Sequence, residues 1–259
     1  MFVGFDFKMK KLSRSRHITV YLPDNYYQCK KRYPVLYIQD GQNAFFDDLA
    51  YSGVSWGFYE YAKMNDLDII MVAIPCNYEL HKREDEYGPW VINEKLCFKE
   101  TGVEGEYIGG EGKDYLEWLV KELKPYIDKR FRTIRKDTGI VGSSMGGVIA
   151  SYAALAYPKV FKKSASLSTA YWFYYDEFKE LIESKDLSAI DKFYFDLGEF
   201  EGCGDDEVDE WYIDSNEFIY NLLKDKVKDI KFLYFEGAHH NESEWRKRLP
   251  LFMNYLYDF

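Results

Sequence analysis

Ile140-Val141-Gly142-Ser143-Ser144-Met145-Gly146-Gly147, running on through Val148-Ile149-Ala150-Ser151-Tyr152-Ala153-Ala154-Leu155-Ala156-Tyr157, is the stretch from which the rest of the chain is read. A short apolar pair stands before a Gly-x-Ser-x-Gly pentapeptide, and a run with helical spacing follows it, which predicts strand, sharp turn and helix. A serine at the tip of such a turn is held in a strained backbone conformation. Glycines two residues to either side let neighbouring chain pass without Cβ clashes. Ser144 is therefore the candidate nucleophile. Two other readings compete: a glycine-rich helix entry with no chemical role, and a phosphate cradle. The cradle lacks the lysine of the GxxxxGK[ST] pattern.

Outward from the turn, short runs rich in β-branched and aromatic residues recur at Ile18–Leu22, Val35–Ile38, Ile69–Ile74, Ser164–Leu167, Phe193–Leu197 and Phe232–Phe235, and read as strands. Helical spacing lies between or after them at Tyr115–Ile127, Val148–Tyr157, Phe218–Leu223 and Leu249–Leu256. Alternating strand and helix imply crossover connections, hence a mostly parallel sheet with helices on both faces. The first hairpin-like pair is expected to be antiparallel. The stretches Gly202–Glu210 and Glu100–Lys113 read as surface loops. With 259 residues and no repeat or low-complexity linker, one domain over 1–259 is expected.

The formal charge of −10 opposes a phosphate backbone as partner, because nucleic-acid affinity rests on clustered Lys and Arg. No run approaches the roughly 18 apolar residues of a membrane span. Met1–Leu12 lacks the apolar core of a secretion signal. Cys29, Cys76, Cys97 and Cys203 are dispersed without CxxC spacing, which fits reduced thiols and a cytoplasmic location rather than disulfides or zinc. Oligomeric state is not legible. Aromatic residues make up 19% of the chain, enough to line a pocket as well as fill a core.

A serine hydroxyl needs a base. Of His17, His81, His239 and His240, only the last two follow the final strand, where the histidine of a serine hydrolase with this kind of turn belongs. Two adjacent histidines without a third ligand do not make a metal set. The orienting carboxylate should follow the preceding strand, where Asp196, Glu199, Glu201 and Asp205 compete on equal chemical terms.

With those residues placed, the chain resembles the putative-esterase family of the α/β-hydrolase fold, which includes esterase D-like enzymes, feruloyl esterases, siderophore esterases and mycolyltransferases. The resemblance rests on Tyr33-Pro34-Val35-Leu36-Tyr37-Ile38-Gln39-Asp40-Gly41-Gln42-Asn43, Glu86-Tyr87-Gly88-Pro89-Trp90, Leu123-Lys124-Pro125-Tyr126-Ile127-Asp128, the Gly-Ser-Ser-Met-Gly-Gly turn, and His239-His240-Asn241-Glu242 with Trp245. It implies His240 as the base, Glu201 as the acid, and the backbone N–H groups of Gln42 and Met145 as an oxyanion hole. Some relatives work with a serine–histidine dyad. The activity implied is cofactor-free hydrolysis of a small or aromatic-group ester through an acyl-enzyme; acyl transfer and a hydrolase-like binding protein are the alternatives. Tyr87, Trp90, Tyr171 and Trp172 would suit a pocket for a bulky or aromatic group. Hydrophobic packing is their competing reading.

Overall fold

The computed structural model describes residues 1–92 and 107–259, so Cys97 and the part of the expected Glu100–Lys113 loop up to residue 106 lie outside the described residues. Eight strands form one sheet: β1 (Phe2–Met9), β2 (Arg14–Tyr21), β3 (Tyr33–Ile38), β4 (Ile70–Ala73), β5 (Thr133–Ser143), β6 (Lys163–Leu167), β7 (Lys192–Phe200) and β8 (Ile230–His239), in the order β1-β2-β4-β3-β5-β6-β7-β8. β1 and β2 pair antiparallel, as do β2 and β4; every other pairing is parallel. This is the α/β-hydrolase architecture. The antiparallel hairpin is present, but its first strand is β1, which is not a continuous apolar run. Val3, Phe5 and Phe7 alternate with exposed Gly4, Asp6 and Lys8, the period-two pattern of a half-buried strand.

Among the described residues the helices are α1 (Phe58–Met64), α2 (Lys82–Tyr87), α3 (Gly112–Trp118), α4 (Lys124–Arg130), α5 (Met145–Ala156), α6 (Tyr175–Ser184), α7 (Asp206–Leu223) and α8 (Glu242–Tyr257). A π-turn at Leu119–Leu123 joins α3 to α4, next to Pro125, which has no N–H for the ladder. Successive strand residues point to opposite faces and so divide the core in two. Val35, Tyr37, Ile70, Val72, Phe193 and Phe195 pack with α3 to α7. Leu36, Ile38, Met71, Ala73 and Tyr194 pack with α1 and α8.

Two expected boundaries shift. Gly202–Glu210 is not all loop: α7 begins at Asp206, capped by the Asp205 carboxylate, which accepts the N–H groups of Glu207 and Val208. Asp206, Glu207 and Asp209 then lie in the first turn, where negative charge suits the helix dipole. Gly112 and Lys113, expected in a loop, begin α3. No helix among the described residues is long and apolar enough to cross a membrane.

Candidate active site

β5 ends at Ser143 and α5 starts at Met145, leaving Ser144 between them at φ 56° and ψ −124°. The surrounding glycines explain why the chain turns here. A Cβ on Gly142 would run into the Gly146 carbonyl, and one on Gly146 would sit 2.7 Å from Asp40 Oδ2. The Ser144 N–H donates to Leu167 O at 3.0 Å, tying the turn to the end of β6. Met145 is the first residue of α5, so its N–H has no carbonyl four residues back within the helix.

Gln42 lies in the short turn Gly41–Asn43 after β3, entered through Asp40 at φ 51°. Gly41 fits there because a Cβ would meet the backbone at Ala73–Ile74. The buried Asp40 carboxylate is gripped by Arg83 of α2 through Nε at 2.9 Å and Nη2 at 2.8 Å, and the same Nη2 donates to Ser143 O at 3.2 Å. One guanidinium thus ties together the turn after β3, α2 and the end of β5.

His240 follows β8 directly. Its Nδ1 is 2.6 Å from Glu201 Oε2. Glu201 Oε1 accepts the Ser168 hydroxyl at 2.7 Å and the Gly198 N–H. Burial pushes this carboxyl up, but the His240, Ser168 and Gly198 hydrogen bonds outweigh it and hold Glu201 below its ordinary value. The imidazole is packed between rings: its centroid is 5.2 Å from Tyr212 and 5.1 Å from Trp245, the latter edge-on. Burial pushes the Tyr212 hydroxyl up, with nearby Ser144 opposing the shift.

Ser144 and His240 line the same cleft of about 430 Å³, together with Asp40, Asn43, Tyr51, Tyr78, Arg83 and Trp245. Of the four carboxylates left open by sequence, Glu201 bonds the imidazole. The others are engaged elsewhere: Asp196 with Arg248 at 2.9 Å, Glu199 with the Gly237 N–H at 2.7 Å, and Asp205 at the α7 cap. His239 turns the other way, its ring 5.1 Å from Phe200. His17 pairs with Asp6 on the surface, and His81 precedes α2.

A family model described as Putative esterase matches residues 9–254. The chain belongs to the putative esterase family. It is 26% identical over 249 residues to Uncharacterized protein YbbA of Bacillus subtilis (strain 168), covering 94% of this chain and 93% of that one. Its fold is similar to that of an IroE-like serine hydrolase from Shewanella oneidensis (TM-score 0.74, 18% identity, 98% and 81% of the two chains). It is also similar to siderophore hydrolase EstA from Aspergillus nidulans (TM-score 0.76, 15% identity, 98% and 94%). A third likeness is to the enterobactin esterase FES from Shigella flexneri (TM-score 0.72, 17% identity, all of this chain and 59% of that one).

The four aromatics expected to line a pocket in this esterase-family chain are not among the residues lining the cleft at Ser144. Tyr87 is buried and its hydroxyl accepts the Asp40 N–H at 2.8 Å. Trp90 packs on Tyr152, Tyr174 and Phe178. Tyr171 is fully buried against Phe178 and Phe195, and Trp172 packs on Phe173, Trp211 and Tyr212. The physical reason is burial for Tyr87, Tyr171 and Trp172, which sit under the helices of the α3-to-α7 face, while half-buried Trp90 packs against that same face. The aromatic wall of the cleft is instead Tyr51 stacked on Tyr78 at 4.7 Å. Sequence gave no signal for Tyr51, Tyr78, Arg83, Ser168 or Tyr212. Among the described residues no three His, Cys, Asp or Glu side chains converge as a metal set.

Proposed function

We propose that this chain hydrolyses carboxylic esters through an acyl-enzyme on Ser144, with His240 as general base and Glu201 as the carboxylate that orients it. The observation that carries this is the 2.6 Å contact between His240 Nδ1 and buried Glu201, beside a strained serine in the same cleft. An ionised carboxylate only accepts hydrogen bonds, so Nδ1 bears the proton and Nε2 is left bare to take the Ser144 proton. The hydroxyl oxygen then attacks the ester carbonyl. The tetrahedral oxygen rests on the Gln42 and Met145 N–H groups, each worth roughly 3 kcal/mol in the transition state. His240 returns the proton to the departing alcohol, and water releases the acid by the same route.

The cleft is open to solvent and walled by the Tyr51–Tyr78 stack, which supports a small ester or one bearing an aromatic group. Siderophore-type esters enter the substrate panel because the names of similarly folded enzymes include a siderophore hydrolase and an enterobactin esterase. Cys29, Cys76 and Cys203 are free thiols, which supports a reducing, cytoplasmic setting. The test is labelling with a fluorophosphonate probe, followed by the ester panel. Wild type is expected to label, and Ser144→Ala to fold normally, fail to label and lose roughly three orders of magnitude or more in turnover. Hydrolysis retained by Ser144→Ala would reject the mechanism.

A further inference from the structure

Ser168 follows β6 and is fully buried, with φ at 45°, outside the region an ordinary residue prefers. Its hydroxyl makes three contacts. Oγ lies 2.9 Å from Trp245 Nε1, 3.3 Å from Arg248 Nη1 and 2.7 Å from Glu201 Oε1. Indole and guanidinium nitrogens only donate, and a serine hydroxyl has two lone pairs and one proton. Trp245 and Arg248 therefore occupy both lone pairs, and the proton is left with one destination, Glu201 Oε1. That oxygen also receives the Gly198 N–H, so Oε1 is saturated and Oε2 is free for His240 Nδ1.

We infer that Ser168 is a positioning residue for ester hydrolysis, its hydroxyl proton locked by Trp245 and Arg248 onto Glu201 so that the other carboxylate oxygen faces His240. Arg248 is itself fixed from behind. It is buried, pairs with Asp196 at 2.9 Å and lies 4.8 Å over the Phe235 ring, and Asp196 also accepts the Tyr194 hydroxyl at 2.9 Å. The lock thus runs from α8 through the end of β6 to the acid after β7. Without the Ser168 proton, Oε1 keeps only the Gly198 N–H and the carboxylate is held less firmly. The imidazole then loses its fixed tautomer and direction.

The inference rests on the proposed roles of Ser144, His240 and Glu201, and a double-mutant cycle separates the two. Wild type, Ser168→Ala, Glu201→Ala and the double variant are compared for kcat, KM and fluorophosphonate labelling rate, with unfolding midpoints recorded alongside. Ser168→Ala is expected to lower kcat and labelling roughly 10- to 100-fold with KM within about twofold, since one hydrogen bond to a charged group is lost. In the Glu201→Ala background the same substitution should change kcat less than about twofold, because its effect passes through Glu201. Equal effects in both backgrounds, or full activity in Ser168→Ala, would overturn the inference while leaving the Ser144 mechanism standing. An inactive, unlabelled wild type would instead remove the mechanism itself. If Ser168→Ala does not fold, Ser168→Cys keeps a side chain of similar size and replaces the hydroxyl by a weak donor. It should lower kcat several-fold in wild type and leave the Glu201→Ala variant unchanged, and equal losses in the two would overturn the inference.

Discussion

At Ser144 the backbone takes a conformation that a non-glycine residue adopts only under constraint, and the constraint is visible in the glycines beside it. Gly142→Ala is expected to destabilise the fold by about 1–3 kcal/mol, because its methyl has only the Gly146 backbone to displace; a denaturant midpoint equal to wild type would contradict this. Gly146→Ala should act differently. Its methyl meets the Asp40 carboxylate, so the Arg83 pair and the nearby Gln42 N–H shift and activity falls further than stability. The local pattern around Ser144 was readable because the strain and its relief lie within six consecutive residues. Arg83, Ser168 and Tyr212 were not, because each meets partners 28 or more residues away.

α2 has only six residues, too few for a stable helix alone, yet it is pinned by buried charge on two sides. Glu86, fully buried, accepts Arg14 at 3.0 Å and also Arg16, both from β2, while Arg83 grips Asp40. Burial holds Glu86 above its ordinary value despite both arginines. Arg83→Met leaves Asp40 buried without its partner and should cost about 3–5 kcal/mol. A double variant that also carries Asp40→Asn should recover part of that loss in equilibrium unfolding. At the other end of the site, Asn241 caps α8 by accepting the Glu244 N–H at 3.0 Å. Asn241→Ala is expected to cost about 1 kcal/mol by thermal or urea unfolding. Sequence reading caught α8 only from Leu249 because the charged residues Glu242, Glu244, Arg246, Lys247 and Arg248 fill its first turns. The capped start at Asn241 sits beside the histidine, where it was read as a family mark rather than a helix signal. β1 escaped for the opposite reason: its alternation is clear, but a search for continuous apolar runs passes over it.

Across the molecule, the protonation of Glu201 links the site to acid stability. Its folded value lies below the ordinary 4.5, so the unfolded chain binds this proton at a pH where the folded chain does not. The group thus contributes stability above about pH 4.5 that is lost as pH falls through the folded value. The stability penalty of Glu201→Gln should therefore shrink as unfolding is measured at successively lower pH below 4.5. A penalty independent of pH would show that the ionised carboxylate is not what the fold favours. The parallel sheet was legible because its central strands β3, β4, β6 and β7 are largely buried and read as apolar runs. The pocket was not, since which aromatics face solvent depends on how helices close over the sheet.

The order of the strands bears on how the chain becomes competent. β8 is both the last strand in sequence and the outer edge of the sheet, and the imidazole hangs from its end. A ribosome that has delivered the serine turn has about a hundred residues still to make before the proposed base, His240, exists. On the proposed mechanism, chains that stop short of His240 are expected to be inert. In a refolding experiment, returning turnover becomes a clock for the moment this outermost strand and its following helix dock.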